Sequence, residues 1–250
     1  MARREEIIQQ IRKALGRPPD GSPVISESAL PPAPLLGVLP TIPPEELLPK
    51  FEAELTKVAG VAHRAANRQD LQEILRAILS HAHAASVVLS RNPLLAELEL
   101  EPLFRKWGMG VSVWQAVSDG DAGGSDASRK AFGEASFAAR VGITGVDFAL
   151  AETGSLIVTS WTEGAQLASL APPVHVALYR RSQLVASLDE VLERLIQAGA
   201  SEQALPGRSL VFITGTSRTA DIEQILIRGV HGPGEVHAIL VGEACLGARD

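Results

Sequence analysis

Four stretches in the second half of the chain carry side chains able to do chemistry. Glu152-Thr153-Gly154-Ser155 sets a carboxylate and two hydroxyls around a flexible backbone, directly before the apolar run Leu156 to Val158. Such a turn can hydrogen-bond a small polar ligand, with Gly154 allowing close backbone approach. The same composition also suits a plain β-turn whose Glu152 pairs with an arginine or a backbone amide. His175 follows the pair Pro172-Pro173 and alternates with Val174, Val176 and Leu178, so it points to the face opposite those apolar residues. On a strand bordering a cleft it would be a general acid or base, since an unperturbed imidazole titrates near pH 6.5; in a packed strand it is a structural hydrogen-bonding group. Gly215-Thr216-Ser217-Arg218-Thr219 joins the strand pattern of 210–214 to a segment read as a helix over 220–228, with Thr219 as its N-cap and Asp221 and Glu223 in its first turn. A loop before a helix N-terminus aims hydroxyls, free amides and a guanidinium at one point, which suits phosphate or carboxylate. The spacing of a P-loop is missing, and the alternative is that these groups only cap the helix while Arg218 pairs with Asp221 or Glu223.

The fourth stretch, Gly229 to His237, holds three glycines and one proline before an apolar strand and must turn; His231 sits on the turn and His237 on the strand. Joining His175, His231 and His237 into a metal site requires ligand spacing that the sequence lacks, so no metal is expected. The candidate catalytic residues are therefore Glu152 and His175. The candidate ligand or anion-binding residues are Thr153, Gly154, Ser155, Gly215, Thr216, Ser217, Arg218, Thr219 and His231.

Helices and strands in alternation must hold these residues. Leu47, Leu48, Phe51, Leu55 and Val58 repeat at helical spacing, and a second helix begins near Asn67 with Leu71, Ile74, Leu75, Ile78 and Leu79 on one face. Strands are predicted at 86–89 and 111–114, a loop at 119–125 and an alanine-rich helix near 126–140. Further on, strands at 154–159, 174–179, 210–214 and 236–241 alternate with helices at 188–198 and 220–228. Ser187 and Glu190 form a capping box for the first of these helices, and Gly199 ends it.

Ahead of this lies an amphipathic segment with Ile7, Ile8, Ile11 and Leu15 on one stripe, then residues 17–49, which hold ten of the sixteen prolines. The chain thus divides into an N-terminal helix and proline-rich arm (1–49) and an α/β domain (50–250). The arm is either a mobile tail or a strap that docks on a second copy, which makes a homo-oligomer an expectation.

Bulk properties exclude several classes. A formal charge of −6, with Lys and Arg scattered, argues against nucleic acid. No stretch reaches the roughly 20 apolar residues of a membrane span, and no apolar segment follows the charged start, so a cytoplasmic protein is expected. The single cysteine, Cys245, cannot form an internal disulfide or hold an iron–sulfur cluster by itself.

Taken together, Ala-Glu152-Thr-Gly-Ser, Leu-Ala-Pro-Pro-Val-His175-Val and Ser-Arg218-Thr-Ala-Asp-Ile-Glu followed by Gly-Val-His231-Gly-Pro resemble the LUD domain of the lactate utilization protein C family, from roughly residue 50 onward. The resemblance implies an α/β fold with a layered sheet and flanking helices, similar to the ribose-5-phosphate isomerase, glucosamine-phosphate deaminase and CoA transferase group, with a cyclo-ligase as a relative. It also implies a bacterial system that oxidises L-lactate to pyruvate with two iron–sulfur partners. The clusters would then lie in those partner subunits, and this chain would bind them or a small carboxylate or phosphate, with no cofactor of its own. The alternative is a free-standing enzyme of that fold group, with Glu152 as base or nucleophile and the loop 215–219 holding a phosphorylated or carboxylated substrate.

Overall fold

The computed structural model describes residues 4–14, 42–114, 126–164, 166–197, 209–220, 226–229 and 231–246. Two compact units are present, Met1–Leu39 and Pro40–Asp250. In the first, α1 (Arg4–Ala14) is the amphipathic helix anticipated from its isoleucines, and Ile7 and Ile11 are exposed on it. Most of the proline-rich arm, with its docking role, lies outside the described residues.

The second unit runs α2 (Leu47–Lys57), β1 (Val61–Asn67), α3 (Arg68–His81), β2 (Ser86–Leu89), α4 (Pro93–Glu97), α5 (Leu100–Lys106), β3 (Gly110–Val113), α6 (Asp126–Ala138), β4 (Val141–Thr144), β5 (Phe148–Leu150), β6 (Ser155–Thr159), α7 (Ser160–Glu163), α8 (Leu167–Leu170), β7 (Val174–Tyr179), β8 (Leu184–Val185), α9 (Leu188–Gln197), β9 (Leu210–Ile213), β10 (Arg218–Ala220), β11 (Leu226–Arg228) and β12 (Glu235–Ala244). Six strands form a parallel sheet in the order β1-β12-β7-β4-β2-β3. Four more, β8-β5-β6-β9, form a second sheet. This is the layered α/β architecture that the alternation of apolar runs and helical stripes predicts.

Local chemistry explains the better-read elements. Asn67 caps α3, its Oδ1 accepting from Gln69 N (2.9 Å) and Asp70 N (3.0 Å), and Leu71, Leu75, Ile78 and Leu79 turn inward. Those residues pack with Leu94, Leu95, Leu100 and Phe104 against Val87, Ile143, Val176 and Leu178 on one face of the parallel sheet. The opposite face meets Leu48, Phe51 and Leu55 of α2 and Leu156, Val158 and Ile213 of the second sheet. A parallel sheet covered on both faces reads as continuous apolar runs, as β4 and β7 do. The Ser187 capping box is also seen, in altered form: Glu190 N donates to Ser187 Oγ at 3.4 Å while Glu190 Oε2 accepts from Ala186 N at 2.8 Å. Gly199 lies outside the described residues.

Two sequence readings need correction. Of the helix read over 220–228, the described residues lie on strands instead: β10 (Arg218–Ala220) and β11 (Leu226–Arg228) pair antiparallel, with Arg218 opposite Arg228 and Thr219 opposite Ile227, and residues 221–225 lie outside the described residues. Only nine residues were read as that helix, a length at which helices are marginal without packing, and its β-branched Ile222, Ile225 and Ile227 favour extended backbone. Strand β1 was not anticipated either. Its sequence, VAHRAAN, has one β-branched residue and buries only Ala65, and its pairing comes entirely from β12, far along the chain, as in Val61 opposite His237 and Asn67 opposite Ala244.

Candidate functional site

The turn 151–154 closes the β5–β6 hairpin. Ala151 N donates to Val185 O at 2.8 Å, Glu152 N to Ala186 O at 3.2 Å and Gly154 N to Leu150 O at 2.9 Å. Gly154 has φ +66°, and a Cβ there would stand 2.2 Å from Leu55 N, so the turn rests directly on the last turn of α2. Glu152 is half-buried and Thr153 exposed. Thr153 Oγ1 and Ser155 Oγ share a hydrogen bond of 2.7 Å, and Ser155 Oγ and Thr214 Oγ1 another of 2.7 Å. A ladder of three hydroxyls therefore joins the turn to the end of β9.

Gly215, at φ +73°, seats the next loop on the same helix end: a Cβ there would stand 2.1 Å from Val58 O, which also accepts from Thr216 N at 3.3 Å. The Thr216 hydroxyl is buried and has no hydrogen-bond partner. Ser217 N donates to Pro233 O (2.9 Å) and Gly229 N to Ser217 O (3.1 Å), while Gly234 N and Glu235 N both donate to Pro173 O. The structure thus brings the four motif stretches into one connected region. Arg218 and Thr219 lie on β10, and His231 is exposed on the turn between β11 and β12.

This arrangement changes the electrostatics expected for the loop. Among the described residues, Arg218–Ala220 form a strand where the first turn of a helix was expected. The loop abuts the carboxyl end of α2, where the carbonyls of Glu54, Leu55, Thr56 and Val58 already accept from Val58 N, Gly60 N, Ala59 N and Thr216 N. Its hydroxyls remain suitable for a neutral polar group or a protein partner.

His175 sits apart from the turn in its contacts. Its ring is fully buried, Nε2 shares a 2.9 Å hydrogen bond with Thr144 Oγ1 on neighbouring β4, and Nδ1 has no partner. Burial, reinforced by His237 nearby, pushes its pKa down to about 3. The imidazole is neutral at physiological pH. His237 stacks on His63, with Nδ1 3.0 Å from His63 Nε2. Among the described residues, no three His, Cys, Asp or Glu side chains are placed to hold a metal ion.

Sequence reasoning missed a second polar cluster, at the carboxyl ends of the parallel strands. From β2 the chain runs outward to β3 and then crosses back to β4 on the other side of β2, so connections leave this pair in opposite directions. Open α/β sheets leave a crevice at such a switch point. Here Glu163, 1% exposed at the end of α7, accepts from Ser90 Oγ and Asn92 Nδ2 in the segment after β2, and from the Gly145 amide after β4. Burial, with Asp147 nearby and against those three donors, raises its pKa to about 7. Asp147 accepts from Thr159 N (2.7 Å) and Thr162 Oγ1 (2.6 Å), and burial raises its pKa as well. The legible signal was positional: Ser90, Asn92 and Gly145 fall immediately after strands, where a layered α/β fold collects its polar groups.

Comparison with known proteins matches residues 48–241 to the LUD domain. The chain is 31% identical to the lactate utilization protein C of Bacillus subtilis (strain 168) over 175 residues, covering 69% of each chain. It is 29% identical to the protein of that name from Exiguobacterium sp. over 239 residues, covering 95% of each. A crystal structure of a DUF162 family protein from Deinococcus radiodurans superposes with a TM-score of 0.55 at 22% identity, covering 81% of this chain and 100% of that one, which supports the fold.

Proposed function

The chain belongs to the LUD domain family, in its lactate utilization protein C group, and from that premise we propose that it serves L-lactate utilization as a subunit without clusters of its own. The similarity to a lactate utilization protein C over 95% of both chains carries this reading. Converting lactate to pyruvate releases two electrons and two protons, which an electron carrier must accept. Cys245 is the single cysteine; it is buried, with its thiol donating to Ala65 O at 3.5 Å, and one such thiol cannot hold an iron–sulfur cluster. The electrons therefore pass to iron–sulfur partner subunits, and this chain supplies a binding surface for those partners or for the acid. The hydroxyl ladder Thr153–Ser155–Thr214 and the joined loops behind it offer the surface for a partner's backbone or side-chain polar groups.

Growth on L-lactate as sole carbon source tests the reading. A strain lacking the gene should fail to grow on lactate, and both the wild-type chain and Cys245→Ala should restore growth. Affinity capture of the tagged chain from lactate-grown cells should recover a cysteine-rich iron–sulfur protein. Undiminished growth of the deletion strain would refute the proposal.

A further inference from the structure

At one edge of the parallel sheet two imidazoles meet. β1 is the outermost strand and pairs with β12, Val61 opposite His237 and His63 opposite Ile239. Side chains alternate along a strand, so His63 and His237 fall on the face that Ala65 and Ile239 share with α3. Their rings stack with centroids 5.2 Å apart, and His63 Nε2 lies 3.0 Å from His237 Nδ1. Beyond the His237 ring, Glu235 Oε2 stands 3.6 Å from Nε2, and Glu235 Oε1 stands 4.0 Å from Nε2 of His81, at the end of α3. Other charged groups on β1 and α3 are engaged elsewhere. Arg64 pairs with Glu52, Arg68 with Glu99, Asp70 accepts from Ala66 N, Glu73 from Gln69 Nε2, and Arg76 lies over Trp107. Glu243 sits at the far end of β12, and His175, opposite Val236, points to the other face of the sheet.

The contact limits how many protons the two rings can carry. The Glu235 carboxylate favours a hydrogen on His237 Nε2, which leaves His237 Nδ1 as acceptor and His63 Nε2–H as donor. One added proton, on His63, charges that donor and strengthens the bond. A second would set two N–H groups of two cations against each other across 3.0 Å. The closed pair therefore holds at most one added proton, whereas two freed imidazoles hold two. Burial, then His237, keeps the His63 pKa below its ordinary 6.5; burial also lowers that of His237, against the pull of Glu235. Stability from such groups is complete above the unfolded pKa of 6.5 and is lost as pH falls towards the folded values.

We propose that the His63–His237 pair is an acid-sensitive latch that holds β1 on the sheet at neutral pH and releases it in mild acid. Release of β1 reaches the loops through α2. Val58, Ala59 and Gly60 join that helix to β1, and Val58 O accepts from Thr216 N at 3.3 Å, while a Cβ on Gly215 would stand 2.1 Å from it. A freed β1 thus loosens the seat of the 215–217 loop and gates the surface that the function proposed above offers to a partner. Only this consequence rests on that function; the latch rests on the pair.

Hydrogen exchange in the intact protein tests the latch. The amides of Val61–Asn67 and of Thr216 are compared with those of Val141–Thr144 on β4, inside the sheet, each corrected for its intrinsic rate. One imidazole of ordinary pKa 6.5 that can protonate only in the open state raises the opening equilibrium about 25-fold between pH 7 and pH 5. Over that range β1 and Thr216 should therefore lose at least about tenfold in protection relative to β4. His63→Gln keeps a side chain that can donate to His237 Nδ1 or accept from it, so its contact survives protonation, and the same ratio should change about twofold or less. Imidazole ¹⁵N spectra of the wild type read the pair without any variant. They should show His237 Nδ1 unprotonated at pH 7, and at most one imidazolium of the two while β1 stays protected. β1 and β4 changing in parallel, an undiminished response in His63→Gln, or two imidazolium rings in a protected β1 would overturn the latch. Protection kept at Thr216 while β1 loses its own would overturn the link to the loop. Wild-type exchange and spectra decide the matter even if the variant folds poorly. A refuted latch alongside lactate-dependent growth would leave the role in lactate utilization standing.

Discussion

Replacing Glu163 by Gln should change how stability depends on pH, by an amount the structure allows to be worked out. The carboxyl titrates near 4.5 when the chain is unfolded and at about 7 in the fold. The folded state therefore holds the proton more tightly, so the associated stability is complete below pH 4.5 and is lost as pH rises through 7. A shift of this size corresponds to about 3 kcal/mol, most of it lost between pH 5 and pH 8. At 1% exposure the group has no solvent to screen it. Gln fits the same contacts: its Oε1 can accept from Asn92 Nδ2, and its Nε2 can donate to Ser90 Oγ, which reverses its role. Urea unfolding of both proteins at pH 5 and pH 8 measures the effect. Relative to wild type, Glu163→Gln should gain about 2–3 kcal/mol on going from pH 5 to pH 8, because the wild type alone must bury a charge at the higher pH. Other groups, including Asp147 and His175, are present in both proteins and largely cancel. A wild-type to variant difference that stays constant within about 0.5 kcal/mol across that range would refute the reasoning.

Two glycines separate strain from collision. Gly154→Ala meets backbone at 2.2 Å in a left-handed conformation, whereas Gly108→Ala, at φ +78°, meets nothing within 4 Å. Thermal unfolding should show a loss of about 1–2 kcal/mol for Gly108→Ala, and about 1–3 kcal/mol beyond that for Gly154→Ala. Thr214→Val removes the rung between β9 and Ser155 and should cost about 1 kcal/mol in urea unfolding.

The legibility of the fold followed local periodicity. α3, with Asn67 as its cap and four leucine or isoleucine residues on one face, was plain, and so were the buried strands β2, β6 and β7, whose apolar runs need a sheet covered on both sides. β1 was not plain, because a polar edge strand acquires its conformation from β12 rather than from its own residues. The helix read over 220–228 gives way to the paired strands Arg218–Ala220 and Leu226–Arg228, since at nine residues the tertiary setting outweighs propensity.

For the site the same division holds. The sequence by itself determined the family, through motifs that occur in fixed order, and the conformations that glycine alone adopts freely at Gly154 and Gly215. It also determined that the chain carries a single thiol. Only the tertiary structure decided that the loop after β9 meets a helix's carboxyl end, that His175 is neutral and buried against Thr144, and that Ser90, Asn92, Trp114, Gly145 and Glu163 converge. The reason is physical: a pKa and an orphan donor depend on burial and on neighbours up to 73 positions away in sequence, and no local pattern encodes either.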